Sequence, residues 1–339
     1  MIKTSIEWTD ATWNPSAGCT RVSEGCRNCY AESMARRFKG PEMAYDGLVG
    51  DDGRWTGKIR FSEARLLDPL RWRSPRRIFV NSMSDLFHPN VSDDMRDNIF
   101  AVMALCPQHT FQVLTKRPER MLEYLRQVEN ERDMQRWINA GYEIIPNVTE
   151  GIRNAWEDMS WPLPNVWLGV SVEDQQTADE RIPLLLQTPA AARFLSCEPL
   201  LGVIDLVVRV SPQVRMDPLN RYDGLDWVIV GGESGPHARP MHADWARTLR
   251  DQCVRANIPF FFKQWGEWQD GSDARATELT LYPDGRTCEF TKEAILAEER
   301  RSGVRHAGAR IVSRVGKKAA GDLLDGVQWH QFPERARCG

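Results

Sequence analysis

The stretch Val166-Trp-Leu-Gly-Val-Ser-Val172 decides the fold, and it is followed at once by Glu173 and Asp174. Seven residues without a charge are long enough for a strand, and they lack the alternation of a strand with one solvated face. Such a run predicts a strand buried on both faces, which is typical of a parallel sheet covered by helices. Residues 174–186 then predict an amphipathic helix, so the segment is one strand–helix unit.

The same unit recurs along the chain. Apolar runs predict six further strands, at residues 11–14, 77–82, 110–115, 193–197, 227–230 and 259–263. Amphipathic stretches predict further helices at residues 30–39, 92–105, 119–128 and 243–256. A strand followed by a helix, repeated six or seven times, predicts an α/β fold whose parallel strands curl into a full or partial (βα) barrel.

Two insertions and a tail interrupt this repeat. The glycine-rich residues 40–60 predict a loop or hairpin, and residues 130–164 carry several tryptophans among charged residues. We therefore expect residues 1–265 to form the barrel together with both insertions. Residues 266–339 are expected to form a C-terminal basic extension packed on the barrel.

Composition indicates a globular protein. The 339 residues are 42% hydrophobic and 27% charged, which is enough to bury a substantial core. The N-terminus lacks the apolar core of a signal peptide, and nowhere do eighteen apolar residues run together, so we expect a cytoplasmic protein without a membrane partner. The net charge of -3 argues against a surface that binds polyanions all over, so a nucleic-acid contact requires a local basic patch.

Three of the eight cysteines lie close together in Gly18-Cys19-Thr-Arg-Val-Ser-Glu-Gly25-Cys26-Arg-Asn-Cys29-Tyr30, behind the first predicted strand. The other five are scattered singly, unlike the framework of a small secreted domain. A closed structural zinc site takes four ligands, whereas a four-iron cluster held by three thiolates leaves one iron open for chemistry. Cys19, Cys26 and Cys29 are therefore predicted metal ligands, and spacing alone leaves both kinds of metal centre open.

Polar residues follow nearly every predicted strand, at the end where barrel enzymes hold their functional groups. Those that we single out are Asp85, Lys116, Arg117, Ser171, Glu173, Glu198, Gly231, Gly232, Glu233, Lys263 and Trp265. Each one alone is well explained as a solvated strand end or turn. Together they predict one crowded polar mouth into which the cysteine loop opens.

The tail holds seven cations and no acid between Arg300 and Lys318. Such a run could follow a phosphate backbone, with Arg310, Arg314, Lys317 and Lys318 as substrate-binding residues. A basic helix that packs on an acidic rim of the barrel explains the run equally well.

A cysteine loop that opens a predicted α/β barrel resembles the radical S-adenosylmethionine enzymes. The wider pattern, with Glu7-Trp-Thr-Asp-Ala-Thr-Trp-Asn-Pro15, Gly231-Gly-Glu-Ser-Gly235 and Gly316-Lys-Lys-Ala-Ala-Gly321, looks like a phage-associated protein family of unassigned function. That family is regarded as distantly related to radical enzymes such as spore photoproduct lyase. The resemblance spans essentially the whole chain. It implies a [4Fe-4S] cluster on the three cysteines, with S-adenosylmethionine bound to the fourth iron.

For an enzyme of this kind we assign roles to the polar residues of the mouth from their position and chemistry. Cofactor contacts would come from Tyr30, Ser171, Glu173, Gly231, Gly232 and Glu233. Residues that orient the substrate or move protons would be Asp85, Lys116, Glu198 and Lys263. Substrate contacts would come from Arg117, Trp265 and the tail cations. The implied partners are an electron donor such as flavodoxin or ferredoxin and, given the basic tail and 13 tryptophans, a nucleotide or nucleic-acid substrate.

The sequence departs from the commonest radical-enzyme pattern in three places, one of which is Asn28 where an aromatic residue often precedes the third cysteine. Six residues separate Cys19 from Cys26, where three are usual, and the Gly-Gly-Glu motif follows the sixth predicted strand instead of the second. Two alternatives therefore remain open. One is a zinc- or cluster-stabilised nucleic-acid-binding protein whose fourth ligand is Cys197 or His88. The other is a metal-independent hydrolase that uses Glu173, Glu198 or Glu233, and it leaves the cysteines unexplained.

Overall fold

The computed structural model describes residues 4–128, 133–145, 147–157, 159–211, 213–219, 224–288 and 308–334. In these ranges seven strands form one parallel sheet, in which they follow each other in chain order. They are β1 (Ala11–Trp13), β2 (Arg77–Val80), β3 (Thr110–Thr115), β4 (Val166–Ser171), β5 (Ala192–Cys197), β6 (Trp227–Gly231) and β7 (Phe260–Gln264). Sequential order is the order of a (βα) barrel, and the sheet curls into a partial barrel. The predicted α/β partial barrel and its seven strands are confirmed.

Helices connect most of these strands and cover the outer face of the sheet. They are α1 (Tyr30–Arg36), α2 (Glu63–Leu66), α3 (Asp93–Ala104), α4 (Pro118–Leu125), α5 (Gln135–Ile144), α6 (Glu150–Glu157), α7 (Gln175–Leu186), α8 (Ala243–Ala256) and α9 (Lys317–Ala320), with 3-10 turns at Glu24–Cys26 and Pro69–Arg71. Ser92 and Asp174 begin α3 and α7 because their side chains accept backbone hydrogen bonds there. The five predicted helices are present, with ends shifted by no more than a few residues.

The second insertion contains α5 and α6, which the sequence did not predict. The Trp137 ring stacks on Phe100 of α3 with 4.8 Å between centroids, and the rings of Trp156 and Tyr142 lie 4.6 Å apart. These tryptophans are therefore core residues of an added helical layer. In the first insertion Arg60–Phe61 pairs with Ser16–Ala17, while Val49 and Trp55 form an isolated bridge.

Side chains on the two faces of the sheet pack into separate cores. Outward-facing residues such as Val113 and Val170 pack against the helices. Inward-facing residues form an aromatic core inside the barrel, made of Trp8, Phe79, Trp167, Ala192, Phe194, Trp227, Ile229 and Phe261. Because Trp167 and Trp227 lie within the first two residues of their strands, this core fills the amino end of the barrel and leaves the carboxyl end for the site.

After the barrel the chain adds an antiparallel sheet of four strands in the described ranges. These are β8 (Trp268–Asp270), β9 (Thr277–Leu281), β10 (Thr287–Cys288) and β11 (Arg310–Arg314), in the order β8–β11–β9–β10. Two-residue pairings join Val208–Arg209 to Arg215–Met216 and Leu323–Leu324 to Val327–Gln328. The basic run is thus a strand followed by the single turn of α9, not a long helix; Arg300, Arg301 and Arg305 lie outside the described residues.

The C-terminal segment covers the last edge of the barrel sheet. The Phe262 backbone N–H of β7 donates to the Trp329 carbonyl at 2.7 Å. His330 forms an isolated backbone bridge with Phe261, and the rings of these two residues stack with their centroids 4.4 Å apart. An edge strand with free N–H and C=O groups is thereby paired within the chain. Among the described helices, none is both long and apolar enough to cross a membrane.

Candidate functional site

A cavity of about 340 Å³ opens at the carboxyl ends of the strands. Part of its apolar surface comes from Trp8 and Phe79 of the aromatic core and from Leu114 beside them. The sequence-predicted residues in its wall are Cys19, Cys26, Cys29, Tyr30, Asp85, Lys116, Arg117, Ser171, Glu198, Gly232, Glu233, Lys263 and Lys317. The structure therefore brings the cysteine loop and the polar strand ends together around one space.

Backbone contacts fix the start of the cysteine loop. The Gly18 N–H donates to the Met83 carbonyl at 3.1 Å, and the Ser84 hydroxyl donates to the Gly18 carbonyl at 2.8 Å. Gly18 has φ +104°, and a Cβ there would overlap the carbonyl oxygen of Lys58. Only glycine meets both conditions, so this residue allows the loop to turn against its neighbours.

A buried ion pair lies beside Cys19. The Arg117 guanidinium is 2.8 Å from an Asp85 carboxylate oxygen and 3.9 Å from the Cys19 sulfur, and it donates to the Thr20 carbonyl at 3.0 Å. Burial, with a smaller contribution from Asp85, raises the pKa of the Cys19 thiol to about 12 although Arg117 opposes the shift. Burial also raises the pKa of Cys29. Buried thiols of this kind become thiolates when a metal ion supplies the compensating charge.

Glu173 supports the middle of the loop from behind the cavity wall. It is buried and accepts from the Ser23 hydroxyl at 3.0 Å, while Arg181 lies 3.1 Å away and Lys116 also pairs with it. A Cβ on Gly25 would overlap this carboxyl group, 2.6 Å from its Cδ. Burial raises the pKa of Glu173, but Lys116 and Arg181 outweigh burial and hold that pKa below its usual value.

Glu233 supports the end of the loop. Its carboxylate accepts from the Asn28 amide at 2.9 Å and from the Arg239 guanidinium at 2.7 and 2.9 Å. Arg239 also donates to the Glu24 carbonyl at 2.9 Å. Burial raises the pKa of Glu233, yet the bonds from Arg239 and Asn28 bring it below its usual value. Glu173 and Glu233, predicted as cofactor contacts, thus both have partners in the cysteine loop.

The glycines of the Gly-Gly-Glu motif allow close packing within the chain. A Cβ on Gly232 would overlap the carbonyl group of Trp265, and one on Gly231 would lie 3.2 Å from the Glu198 Cδ. Trp265 itself, a predicted substrate contact, is buried in the outer core, where its indole donates to the Leu323 carbonyl at 2.9 Å. Backbone approach between β6 and β7 therefore explains Gly232.

A second set of charged residues lies in the wall formed by β5, β7 and the chain termini. The Lys263 ammonium is 2.7 Å from a Glu198 carboxylate oxygen and 4.0 Å from Glu7. Lys317 pairs with Glu7 at 3.2 Å. Charges therefore alternate from the cavity to its rim, and we call these four residues the charged rim.

Arg310, Arg314 and Lys318, the other tail cations predicted to bind substrate, lie apart from the cavity wall. Arg310 pairs with Asp244 at 3.1 Å and with Asp270 at 2.9 Å, and Arg314 donates to backbone carbonyls of the barrel loops. Lys318 is exposed on α9. The contacts of Arg310 and Arg314 favour the interpretation in which the basic segment packs on the protein.

Sequence reasoning missed five residues that fix the cysteine loop but do not lie at the strand ends. These are Ser23, Asn28, Arg181 and Arg239, together with Thr20, whose hydroxyl lies 3.0 Å from His88 Nε2. Ser23 and Asn28 stand inside the cysteine motif, so their position was a usable signal. Arg181 and Arg239 carry no local pattern, because their partners are fixed only by the fold.

The donor set of the cavity fits a metal centre in its chemistry, since three thiols from one loop face one space. In the part of the chain that the structure describes, no three His, Cys, Asp or Glu side chains are gathered to hold a single metal ion. Cys197, the alternative fourth ligand, is buried in the outer core. His88, the other alternative, lies against Thr20 and has its pKa lowered to about 4 by burial and Arg117.

Fold and site together define an α/β partial-barrel protein with a three-cysteine cavity at the carboxyl ends of its strands. The sequence model described as "Protein of unknown function (DUF5131)" matches residues 3–333, so the chain belongs to this family. Comparison with curated proteins gave no match, and comparison with solved structures gave none either. The predicted family of unassigned function is therefore confirmed, while the phage association and the kinship to radical enzymes stay predictions.

Proposed function

We propose that the protein is an iron–sulfur enzyme of the radical S-adenosylmethionine type that abstracts a hydrogen atom from its substrate. One observation carries the proposal: Cys19, Cys26 and Cys29 line a single cavity at the end of a parallel partial barrel where such folds hold their active sites. When bound, a [4Fe-4S] cluster with S-adenosylmethionine supplies a carbon radical that removes hydrogen from a C–H bond.

The chain's own residues would prepare the site for that chemistry. Three carboxylates anchor the loop, since Asp85, Glu173 and Glu233 each take part in contacts that hold loop residues. A loop held at several points keeps its thiols in place before a ligand arrives. Trp8 and Phe79 make the inner end of the cavity apolar, which helps to exclude water from a reactive intermediate.

The charged rim would meet the substrate. Glu198 and Lys263 are paired within the wall of the cavity, so Lys263 can donate a hydrogen bond to an acceptor on a bound molecule, and Glu198 can accept one. The cavity, about 340 Å³, is near the lower limit of the roughly 300–1,000 Å³ usual for small-molecule sites. We therefore infer that little more than one small molecule enters fully and that the rest of a larger substrate stays at the rim.

The nucleotide or nucleic-acid substrate remains a proposal with less support. It rests on the basic tail and the tryptophans, yet Arg310 and Arg314 have partners within the chain, and Trp137 and Trp156 are core residues. Of the predicted tail residues, Lys317 reaches the cavity wall. A single cation pairs with one phosphate and does not track a backbone.

Zinc in place of a cluster is less well supported. Four sulfur ligands of one zinc ion, at about 2.3 Å each in a tetrahedron, lie about 3.8 Å from one another. The thiolates of a four-iron cluster bind different irons and stand farther apart. Cys26 and Cys29 lie near enough to Cys19 to contribute to the raised pKa of its thiol, but among the described residues no three ligands are gathered around a single ion.

Anaerobic purification followed by iron and sulfide analysis tests the proposal. We expect about four irons for each chain, lost in Cys19→Ser, Cys26→Ser and Cys29→Ser. Cys106→Ser and Cys253→Ser are the matched controls, because both thiols are buried in the outer core. The reduced protein with S-adenosylmethionine should release 5'-deoxyadenosine. A colourless protein with stoichiometric zinc would refute the proposal.

A further inference from the structure

Glu7 occupies a position between two ammonium groups at the mouth of the cavity. One of its carboxylate oxygens lies 3.2 Å from the Lys317 ammonium, and the other lies 4.0 Å from that of Lys263. Both lysines line the cavity, and so do Ile6 and Trp8, the neighbours of Glu7 in the chain. A side chain of the N-terminal segment therefore places a negative charge where two cations of the cavity wall converge.

The Glu7 carboxylate is more exposed than the other carboxylates that pair with lining cations. The four pairs are Lys116 with Glu173, Arg117 with Asp85, Lys263 with Glu198 and Lys317 with Glu7. The carboxylate side chains of the first three pairs are 1%, 8% and 21% exposed, whereas that of Glu7 is 32% exposed. Because an exposed ion pair contributes little to stability, a ligand of the same chemistry replaces Glu7 more readily than the other three.

The charge of the rim indicates that the ligand carries one negative charge. The charged rim consists of two lysines and two glutamates and is neutral when all four are in place. When Glu7 moves away, two positive charges and one negative charge remain. A carboxylate supplies the single missing charge, whereas a phosphate monoester carries about 1.5 to 2 negative charges at pH 7. The rim therefore matches a carboxylate better than a phosphate.

The cavity wall beside the rim indicates what the rest of the ligand is like. Ile6, Trp8, Phe79 and Leu114 make part of this wall apolar. An acid whose carboxylate lies between the two rim lysines can place an apolar chain against these side chains, in the space that the cysteine loop also lines. The cavity of about 340 Å³ limits that chain to a short one.

We infer that the substrate is a small carboxylic acid whose carboxylate displaces Glu7 and binds between Lys263 and Lys317, an inference that rests on the proposed function. Glu7 is then an internal competitor of the substrate. Such a competitor weakens the apparent affinity, because the acid binds only the fraction of molecules in which the position is open.

Calorimetric titration of the full chain with butyrate tests the inference, and uncharged butyramide is the control ligand. Glu7→Gln should bind butyrate about threefold more tightly than the wild type, because it removes the competing charge and keeps the size of the side chain. Lys317→Met should bind butyrate about tenfold more weakly, since a hydrogen bond to a charged group is lost. Butyramide should bind weakly and equally to all three proteins.

Glu63→Gln and Lys39→Met are the matched control variants. Glu63 is exposed on α2, Lys39 is 33% exposed just after α1, and neither lines the cavity. Both variants should bind butyrate as tightly as the wild type does. Butyrate binding to the wild type should also weaken with added salt, as expected of an interaction between charges at an exposed rim.

Four results would overturn the inference. They are no binding of butyrate to Glu7→Gln, equal butyrate affinity in the wild type and Lys317→Met, tighter binding of inorganic phosphate than of butyrate, and a loss of S-adenosylmethionine affinity in Lys317→Met as large as the loss for butyrate. The last result would assign the lysine to the cofactor. Failure of the proposed function is visible separately, because a protein without iron that binds butyrate as expected would refute the radical chemistry and leave the carboxylate site in place.

Discussion

Glu173 should be a major support of the cysteine loop, and Glu173→Gln tests this directly. Glutamine keeps the size of the side chain and can still accept from Ser23, but it removes the negative charge that faces Lys116 and Arg181. Removing one partner from a buried ion pair costs about 3–5 kcal/mol, because the other charge is left uncompensated. We expect the free energy of unfolding to fall by about 3 kcal/mol, the lower end of that range, because the Lys116 side chain is 18% exposed to solvent.

Urea unfolding at pH 7, followed by tryptophan fluorescence, measures this loss in the free energy of unfolding. Gly25→Ala should lose about 1–3 kcal/mol by crowding the same carboxylate. Gly151→Ala is the control, because that helical position in α6 is open and alanine favours a helix. The iron content should fall in Glu173→Gln and Gly25→Ala and stay unchanged in Gly151→Ala.

The same variant gives a pH prediction. The folded-state pKa of Glu173 is below its usual value of 4.5, so its stabilisation is present above pH 4.5 and is lost as the pH falls through the lowered pKa. The difference in the free energy of unfolding between wild type and Glu173→Gln should therefore become smaller below pH 4.5. A difference under about 0.5 kcal/mol at pH 7, the size of an ordinary surface substitution, would refute the reasoning.

Arg117→Met should lower the iron content by at least half, because it removes the contacts of Arg117 with the Thr20 carbonyl and the Cys19 sulfur. Lys263→Met, which breaks the pair with Glu198, should leave the iron content unchanged, and iron analysis of both variants tests this difference. Arg310→Ser with Arg314→Ser should lower the melting temperature by about 2 °C, in line with a loss of about 1–2 kcal/mol in a chain of 339 residues, and leave nucleic-acid gel shifts unaltered. Asp325→Asn should cost about 1 kcal/mol at pH 7, as expected of a partly exposed ion-pair network. Hydrogen bonds from Arg247 lower the pKa of Asp325 to about 2, so the stabilisation by this carboxylate is present above pH 3.8 and is lost as the pH falls toward 2. In thermal melts between pH 5 and 2.5, the difference in melting temperature between wild type and Asp325→Asn should therefore become smaller as the pH falls.

The barrel could be predicted because its strands are buried on both faces. Every residue of β4 is buried, so its sequence carries no charge and the strand can be recognised without knowledge of distant partners. The helices of the second insertion could not be predicted in this way. Trp137 and Tyr142 contact Phe100 and Trp156, and such contacts make marginal helices stable only once the fold exists.

The site was predictable in its members but not in its contacts. Strand ends placed Asp85, Lys116 and Glu233 near one another, as a parallel barrel requires. The partners of those residues depend on how the cysteine loop folds back, so the bond from Asn28 to Glu233 had no signal in spacing. The charge run of the tail left two interpretations open, and the contacts that favour packing, those of Arg310 with acids 40 and 66 positions away, could not be read from the sequence.

The pairing of residues 329–331 with β7 bears on how the protein is made. During translation all seven barrel strands leave the ribosome before this segment and before Lys317, which completes the rim of the cavity. The nascent chain therefore passes through a stage in which the sheet edge is bare and the three thiols face an unfinished wall. The order of synthesis thus leaves one edge of the sheet and one part of the rim to be completed after the rest of the barrel.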